Sequence, residues 1–223
     1  MKKVDPANEA GGRAIRRRNP EESKRRILDA AERAFARRGF EGARLRDIAS
    51  DAGVHHALVH HYYGDKRGLF KEVLERALAT ISSAGLESLA GANDLESTVT
   101  HLVSALHDFM STQRDLLHII ENAYRDKDGV AHELTTASLG SLAAPLIVHV
   151  RGRIVDGQKV GVVRNDITPD ALIVFGFSVI AHPFVSGAGI MRSLGLPSIS
   201  DDELAARKGQ LASYIIAAMK PPR

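Results

Sequence analysis

Residues 45–63, "LRDIASDAGVHHALVHHYY", leave room for one short helix, one tight turn and a second short helix, and few folds accommodate that arrangement. Ile48 and Ala49 give the first helix, about Leu45 to Asp51, an inward face. Gly53 ends it and supplies the backbone freedom that the turn needs, with Val54 expected to pack beneath. Two short helices joined in this way form a helix-turn-helix, a motif that sets its second helix in the major groove of DNA while the first crosses the backbone.

The flanking sequence extends the helical pattern in both directions. Asn19-Pro20-Glu21-Glu22 reads as a helix start, with an N-cap, proline at the first helical position and acid in the first turn. Ile27, Leu28, Ala31, Ala34 and Phe35 then share one face, and Gly39 stops the helix. Asp65 can cap a fourth helix that carries Leu69, Phe70, Val73, Leu74 and Ala77.

Farther on, Asn93-Asp94 opens a helix through Val99, Leu102, Leu106 and Phe109, and another holds Leu116, Leu117, Ile119, Ile120 and Tyr124. A long helix is expected from about Ala131 to Lys159, kinked at Pro145. Thr168-Pro169-Asp170 caps an apolar helix, and Ser200-Asp201-Asp202-Glu203 is a capping box before one final helix with Leu204, Leu211, Ile215 and Met219. No stretch alternates strictly, so the expected class is all-α.

At 223 residues, 44% of them hydrophobic, the chain suits one large domain or a small domain joined to a larger one. The absence of cysteine excludes disulfides, thiolate zinc sites and a cysteine nucleophile, and it fits a reducing, cytoplasmic setting. Asp5, Glu9 and Gly11-Gly12 stand where a secretory signal needs an apolar run. Residues 171–191 are long enough to span a membrane, but His182, Pro183 and three glycines dilute them, so a core or interface helix is expected and no membrane.

Charge is unevenly placed. Residues 1–65 hold 14 Lys and Arg against 10 Asp and Glu, whereas the other 158 hold 16 against 17. The excess is densest in "GGRAIRRR" (11–18), so residues 1–18 read as a flexible basic arm able to touch phosphates.

Histidines 55, 56, 60 and 61 invite a metal reading. At about 100° per residue only His56 and His60 share a face, and no carboxylate stands at a spacing that completes a ligand set, so no metal and no cofactor are expected. The imidazoles can instead donate or accept at base edges and phosphates.

Residues 27–70 resemble the TetR family of transcriptional regulators. Phe35, Gly39 and Phe40 match its "F-x-x-x-G-F/Y"; Ile48, Ala49, Ala52, Gly53 and Val54 match "I-A-x-x-A-G-V"; Tyr62, Tyr63, Lys66 and Leu69 match "Y/H-F-x-x-K-x-x-L". Departures are Ala43-Arg44 in place of Thr-Thr, His55 in place of the serine that opens the recognition helix, and His60 in place of a tyrosine. The resemblance implies a DNA-binding domain over 19–71 in which His56, Leu58 and His60 face bases with Arg46, while Arg44, Tyr62 and Lys66 hold phosphates. His55 and His61 complete that surface. The resemblance buries Val59 and Tyr63, whereas periodicity alone would bury Val54, Leu58 and Tyr62.

It also implies a second domain, 72–223, that dimerises and binds a small molecule. The expected interface is Leu172, Val179, Leu204, Leu211 and Ile215, with Phe175 beside them. The expected effector pocket is Phe109, Leu117, Ile120, Tyr124, Leu146 and Phe175, suited to an apolar or amphipathic ligand. The chain then reads as a dimeric repressor, not an enzyme, released from a palindromic double-stranded operator by its effector. The competing readings are an all-α histidine-dependent metal protein or enzyme, which lacks any H-E-x-x-H motif, and a helical membrane-associated adaptor.

Overall fold

The structure is a computed structural model that describes residues 19–125, 127–195 and 200–222; the arm expected over 1–18 lies outside them. Every regular element among the described residues is a helix. The first four are α1 (Pro20–Gly42), α2 (Leu45–Asp51), α3 (His56–Tyr63) and α4 (Lys66–Ala90). The body continues with α5 (Leu95–Thr112), α6 (Arg114–Arg125), α7 (Val130–Lys159) and α8 (Pro169–His182). A π-helical turn, Pro183–Gly187, leads into α9 (Ala188–Ser193), α10 (Asp201–Ala206) and α11 (Lys208–Met219).

Most of the starts are set by side chains that satisfy orphan amides. Asn19 accepts from the Glu21 N–H at 3.1 Å, Asp65 from Gly68 at 2.9 Å, and Asp94 from Ser97 at 2.7 Å. Thr168 and Ser200 cap α8 and α10 in the same way, at 3.3 and 3.2 Å. Each such cap is worth about 1 kcal/mol. Gly39, at φ 65° and ψ 179°, breaks α1 so that Phe40 folds back onto the core.

α7 is the long helix expected, with Pro145 inside it. Two expectations change. The final helix is two, α10 and α11, parted at Arg207. The apolar stretch 171–191 is interrupted at Pro183, which ends α8 after 14 residues. Among the described residues α7 is instead the helix long and apolar enough to cross a membrane. It packs along α4, where Leu146 meets Gly85, and Arg153 donates to the carbonyls of Ala92 and Asn93.

Two apolar cores result. The first gathers α1, α2, α3 and the front of α4 around Phe35, Phe40 and Phe70, whose rings meet at centroid distances of 4.9 to 6.1 Å. Leu116 and Ile119 of α6 belong to it too. The second joins α5, α7, α8 and α11 around Val103, Ile154 and Ile180, and takes Leu117 from the same α6. Each large side chain so buried contributes roughly 1.5–3 kcal/mol. One helix therefore serves both cores. Arg76 of α4 adds an ionic tie to α1, reaching Asp29 at 2.7 Å and Glu32 at 2.5 Å.

The residues expected at the interface differ in their burial. Leu172 and Ile215 are buried in the chain's own second core, and Val179 and Leu211 are half-buried. The Leu204 side chain lies outside what is described. The residues that α8 and α11 turn outward are Val174, Phe175, Phe177 and Tyr214, each more than half exposed.

Candidate nucleic-acid interface

The turn between α2 and α3 is built from main-chain bonds that require a left-handed residue. Ala52 N–H returns to Ile48 O at 2.9 Å, Gly53 N–H to Ser50 O at 2.9 Å, and Val54 N–H to Ala49 O at 3.0 Å. Gly53 has φ 60°, a conformation that costs an ordinary L-residue about 1–2 kcal/mol. The Arg26 guanidinium of α1 lies where a Cβ on Gly53 would project. Arg38 pairs with Asp47 at 2.9 Å and fixes α2 to α1.

α3 is seated by Val59, which is buried in the first core, as the resemblance implies. Tyr63, Tyr62 and Val54 are half-buried and pack on that core, so the resemblance and the periodicity are each right in part. The Tyr63 hydroxyl donates to the Lys24 carbonyl at 3.2 Å, and burial pushes its phenol up to about 12. Tyr62 lies beneath the Lys24 ammonium, 5.6 Å from its ring centroid.

The opposite side of α3 is open. His60 and His61 are exposed there with Ala57, while His56 and Leu58 are half-buried at the edges. The His56 and His60 rings meet edge to face at 4.6 Å. His60 Nδ1–H donates to the Gly64 carbonyl at 2.6 Å, closing the end of the helix. His55 is the N-cap, its Nδ1 accepting from the Ala57 N–H at 3.3 Å. The residue in the place of serine thus does a serine's work. Sequence reasoning missed both ties, although the N-cap position and the four-residue spacing from His60 to Gly64 carry the signal.

Arg44 and Arg46 are exposed beside α2, Arg44 as its N-cap residue. Lys66 is less open than expected. Its ammonium lies 4.5 Å above the Phe40 ring, donates to the Glu41 carbonyl at 3.3 Å and pairs with the Glu41 carboxylate at 3.8 Å. Arg44, Arg46, His55, His60 and His61 are all exposed and together form a face that offers donors, cations and imidazole nitrogens if α2 and α3 present them to one side, as a helix-turn-helix does. Such a face suits phosphates and base edges better than a small substrate. Among the described residues no three His, Asp or Glu side chains gather as a metal-binding group.

The six residues expected to line an effector pocket do not all converge. Phe109 touches both cores, Leu117 is buried in the second, and Ile120 packs on the first. Leu146 packs against Gly85, Tyr124 is 42% exposed with its ring 5.0 Å from that of His132, and Phe175 points outward from α8. A cavity of about 650 Å³ opens instead between α4 and α5, where Phe109 is joined by Thr80, Glu87, His101, Ser104 and Asp108. A hydrogen bond from Lys208 holds the Asp108 carboxyl below the usual carboxylate range.

The sequence model for bacterial regulatory proteins of the tetR family matches residues 27–73. The chain is 31% identical over 160 residues to an HTH-type transcriptional repressor of Streptomyces coelicolor (SCO4008), covering 70% of this chain and 76% of that one. It is 26% identical over 155 residues to the HTH-type transcriptional repressor NicS of Pseudomonas putida, covering 69% and 71%. Among solved structures, the transcriptional regulator FadR of Bacillus subtilis in complex with stearoyl-CoA matches with a TM-score of 0.68 over 87% of this chain and 98% of that one. At 13% identity that likeness is one of fold alone.

Proposed function

This chain belongs to the TetR family of bacterial regulatory proteins, and on that premise we propose that it is a ligand-responsive repressor that binds a palindromic operator as a dimer. The observation that carries the reading is α3 itself. It is seated by Val59, capped at its start by His55 and closed at its end by His60, and it turns His60 and His61 outward beside Arg44 and Arg46. A rigid two-turn helix with an exposed polar face is what a major groove admits.

One such helix reads too few base pairs to pick a site from a genome, so pairing of two subunits is required. The outward Val174, Phe175, Phe177 and Tyr214 supply an apolar surface for it. The functional division falls within α4, with 19–71 reading DNA and 72–223 binding the effector and the second subunit. α4 enters the first core at Leu69 and leaves it near Leu78, and α6 touches both cores, so a ligand that moves either helix changes the separation of the two recognition helices. An apolar or amphipathic effector is the class we favour; stearoyl-CoA, in the FadR complex, is one such molecule. A regulator of this kind works where the chromosome is, in the cytoplasm, and needs no catalytic chemistry.

Selection of bound fragments from sheared genomic DNA tests the reading. The expected result is a two-fold symmetric motif whose half-sites lie about one helical turn apart. Recovery of fragments without any common motif would overturn it.

A further inference from the structure

Two histidines of α3 are tied to the main chain through the same ring atom in opposite senses. At His55 the Nδ1 receives the Ala57 N–H, so Nδ1 holds a lone pair and the ring proton sits on Nε2. At His60 the Nδ1 faces the Gly64 carbonyl at 2.6 Å. A carbonyl only accepts, so Nδ1 carries the proton and the Nε2 of the neutral ring holds a lone pair. The His56 ring, edge to face at 4.6 Å, steadies that of His60. Both residues are exposed.

We propose that these two imidazoles contact DNA with fixed and opposite polarity: His55 donates through Nε2–H to a phosphate oxygen, and His60 accepts through Nε2 from the exocyclic amine of a cytosine in the major groove. This rests on the reading of α3 as the recognition helix. In the major groove only cytosine N4 and adenine N6 donate, whereas guanine and thymine present acceptors, against which a lone pair gains nothing. Adenine pairs its amine with the N7 acceptor, which a ring lacking a second outward donor leaves unmatched. Cytosine presents the amine alone and is the better complement. His55 stands where the amide groups opening α3 favour an anion, so its outward N–H meets a phosphate oxygen with the same polarity. His60 is then a specificity-determining residue and His55 a sequence-independent anchor.

The test uses the full chain. Two-bond proton–nitrogen spectra of the histidine-labelled protein at pH 8, with peaks assigned by His55→Ala and His60→Ala, should show Nε2–H at His55 and Nδ1–H at His60. In parallel, duplexes are selected by the wild type, His60→Ala and His60→Arg from one random pool. One position in each half-site should read cytosine with the wild type, no base with His60→Ala, and guanine with His60→Arg. Replacing that cytosine by 2-pyrimidinone, which lacks the amine, should cost the wild type about 3- to 10-fold, the worth of one neutral hydrogen bond, and cost His60→Ala nothing. His55→Ser keeps the cap and removes the ring, and should weaken selected and random duplexes alike. An Nε2–H tautomer at His60, or the same base selected by all three proteins, overturns the His60 assignment. Unchanged affinity of His55→Ser overturns that of His55. If no protein selects any sequence although both tautomers are as expected, the recognition-helix reading fails and takes the proposal with it.

Discussion

The side-chain amide of Asn122, in α6, donates to the main-chain carbonyl of Ala36, in α1, at 3.1 Å. Ala36 lies just before the break at Gly39, in the turn where a helix runs out of its own amide partners. The body of the protein thus satisfies a carbonyl of the helix that supports the DNA-reading face. Asn122→Leu should cost about 1–2 kcal/mol, lowering the melting midpoint by about 2–8 °C in a chain of this size. A midpoint unchanged in calorimetry would show that the contact carries no stability.

Phe177 and Leu172 lie on the same helix and should respond differently to one substitution. Phe177 is 51% exposed on the outer face of α8, whereas Leu172 is buried in the second core. Phe177→Glu should give a folded monomer with weakened operator binding, as judged by sedimentation and anisotropy. Leu172→Glu buries an unpaired charge and should unfold the chain. A Phe177→Glu protein that remains dimeric would place the interface elsewhere.

Lys66 has one observed contact and one proposed role, which a single substitution separates by readout. Its cation–π contact with Phe40 is worth about 0.5–1 kcal/mol, so Lys66→Ala should lower thermal stability slightly. If the ammonium also reaches a phosphate, binding to all duplexes should weaken alike, and the slope of log affinity against log salt should fall by about 1. A lower stability with an unchanged slope would confine Lys66 to packing.

Tyr63 should ionise later than an ordinary tyrosine. Burial raises its phenol to about 12, above the ordinary value near 10. The folded state holds this proton more tightly than the unfolded one, so the stabilisation is complete below about pH 10 and is lost as pH rises through 12. Alkaline titration of absorbance at 295 nm should therefore lose a late component in Tyr63→Phe. Loss of an early component instead would contradict the burial.

The all-α class, most helix starts and the turn at Gly53 were legible in the sequence because they depend on neighbours within about four residues. An N-cap finds its amide two or three positions on, a left-handed glycine needs only its own missing Cβ, and the spacing of Ile27, Ala31 and Phe35 fixes an inward face. The forty-odd residues that resemble the family carry the same local information. α8 marks the limit. Its sequence is apolar on all sides, so periodicity gives no inward direction, and only packing against α5, α7 and α11 buries Leu172 and Ile180 while leaving Phe175 and Phe177 outside. The expected effector residues were not all brought together for that reason, since helix position does not say which neighbour a helix meets. His60 is the opposite case, because the carbonyl that fixes its ring proton belongs to Gly64, four residues on, so that tie is local and its spacing carries the signal. Local bonding is written in the order of residues, whereas the direction of an apolar face is settled by contacts between elements far apart in the chain.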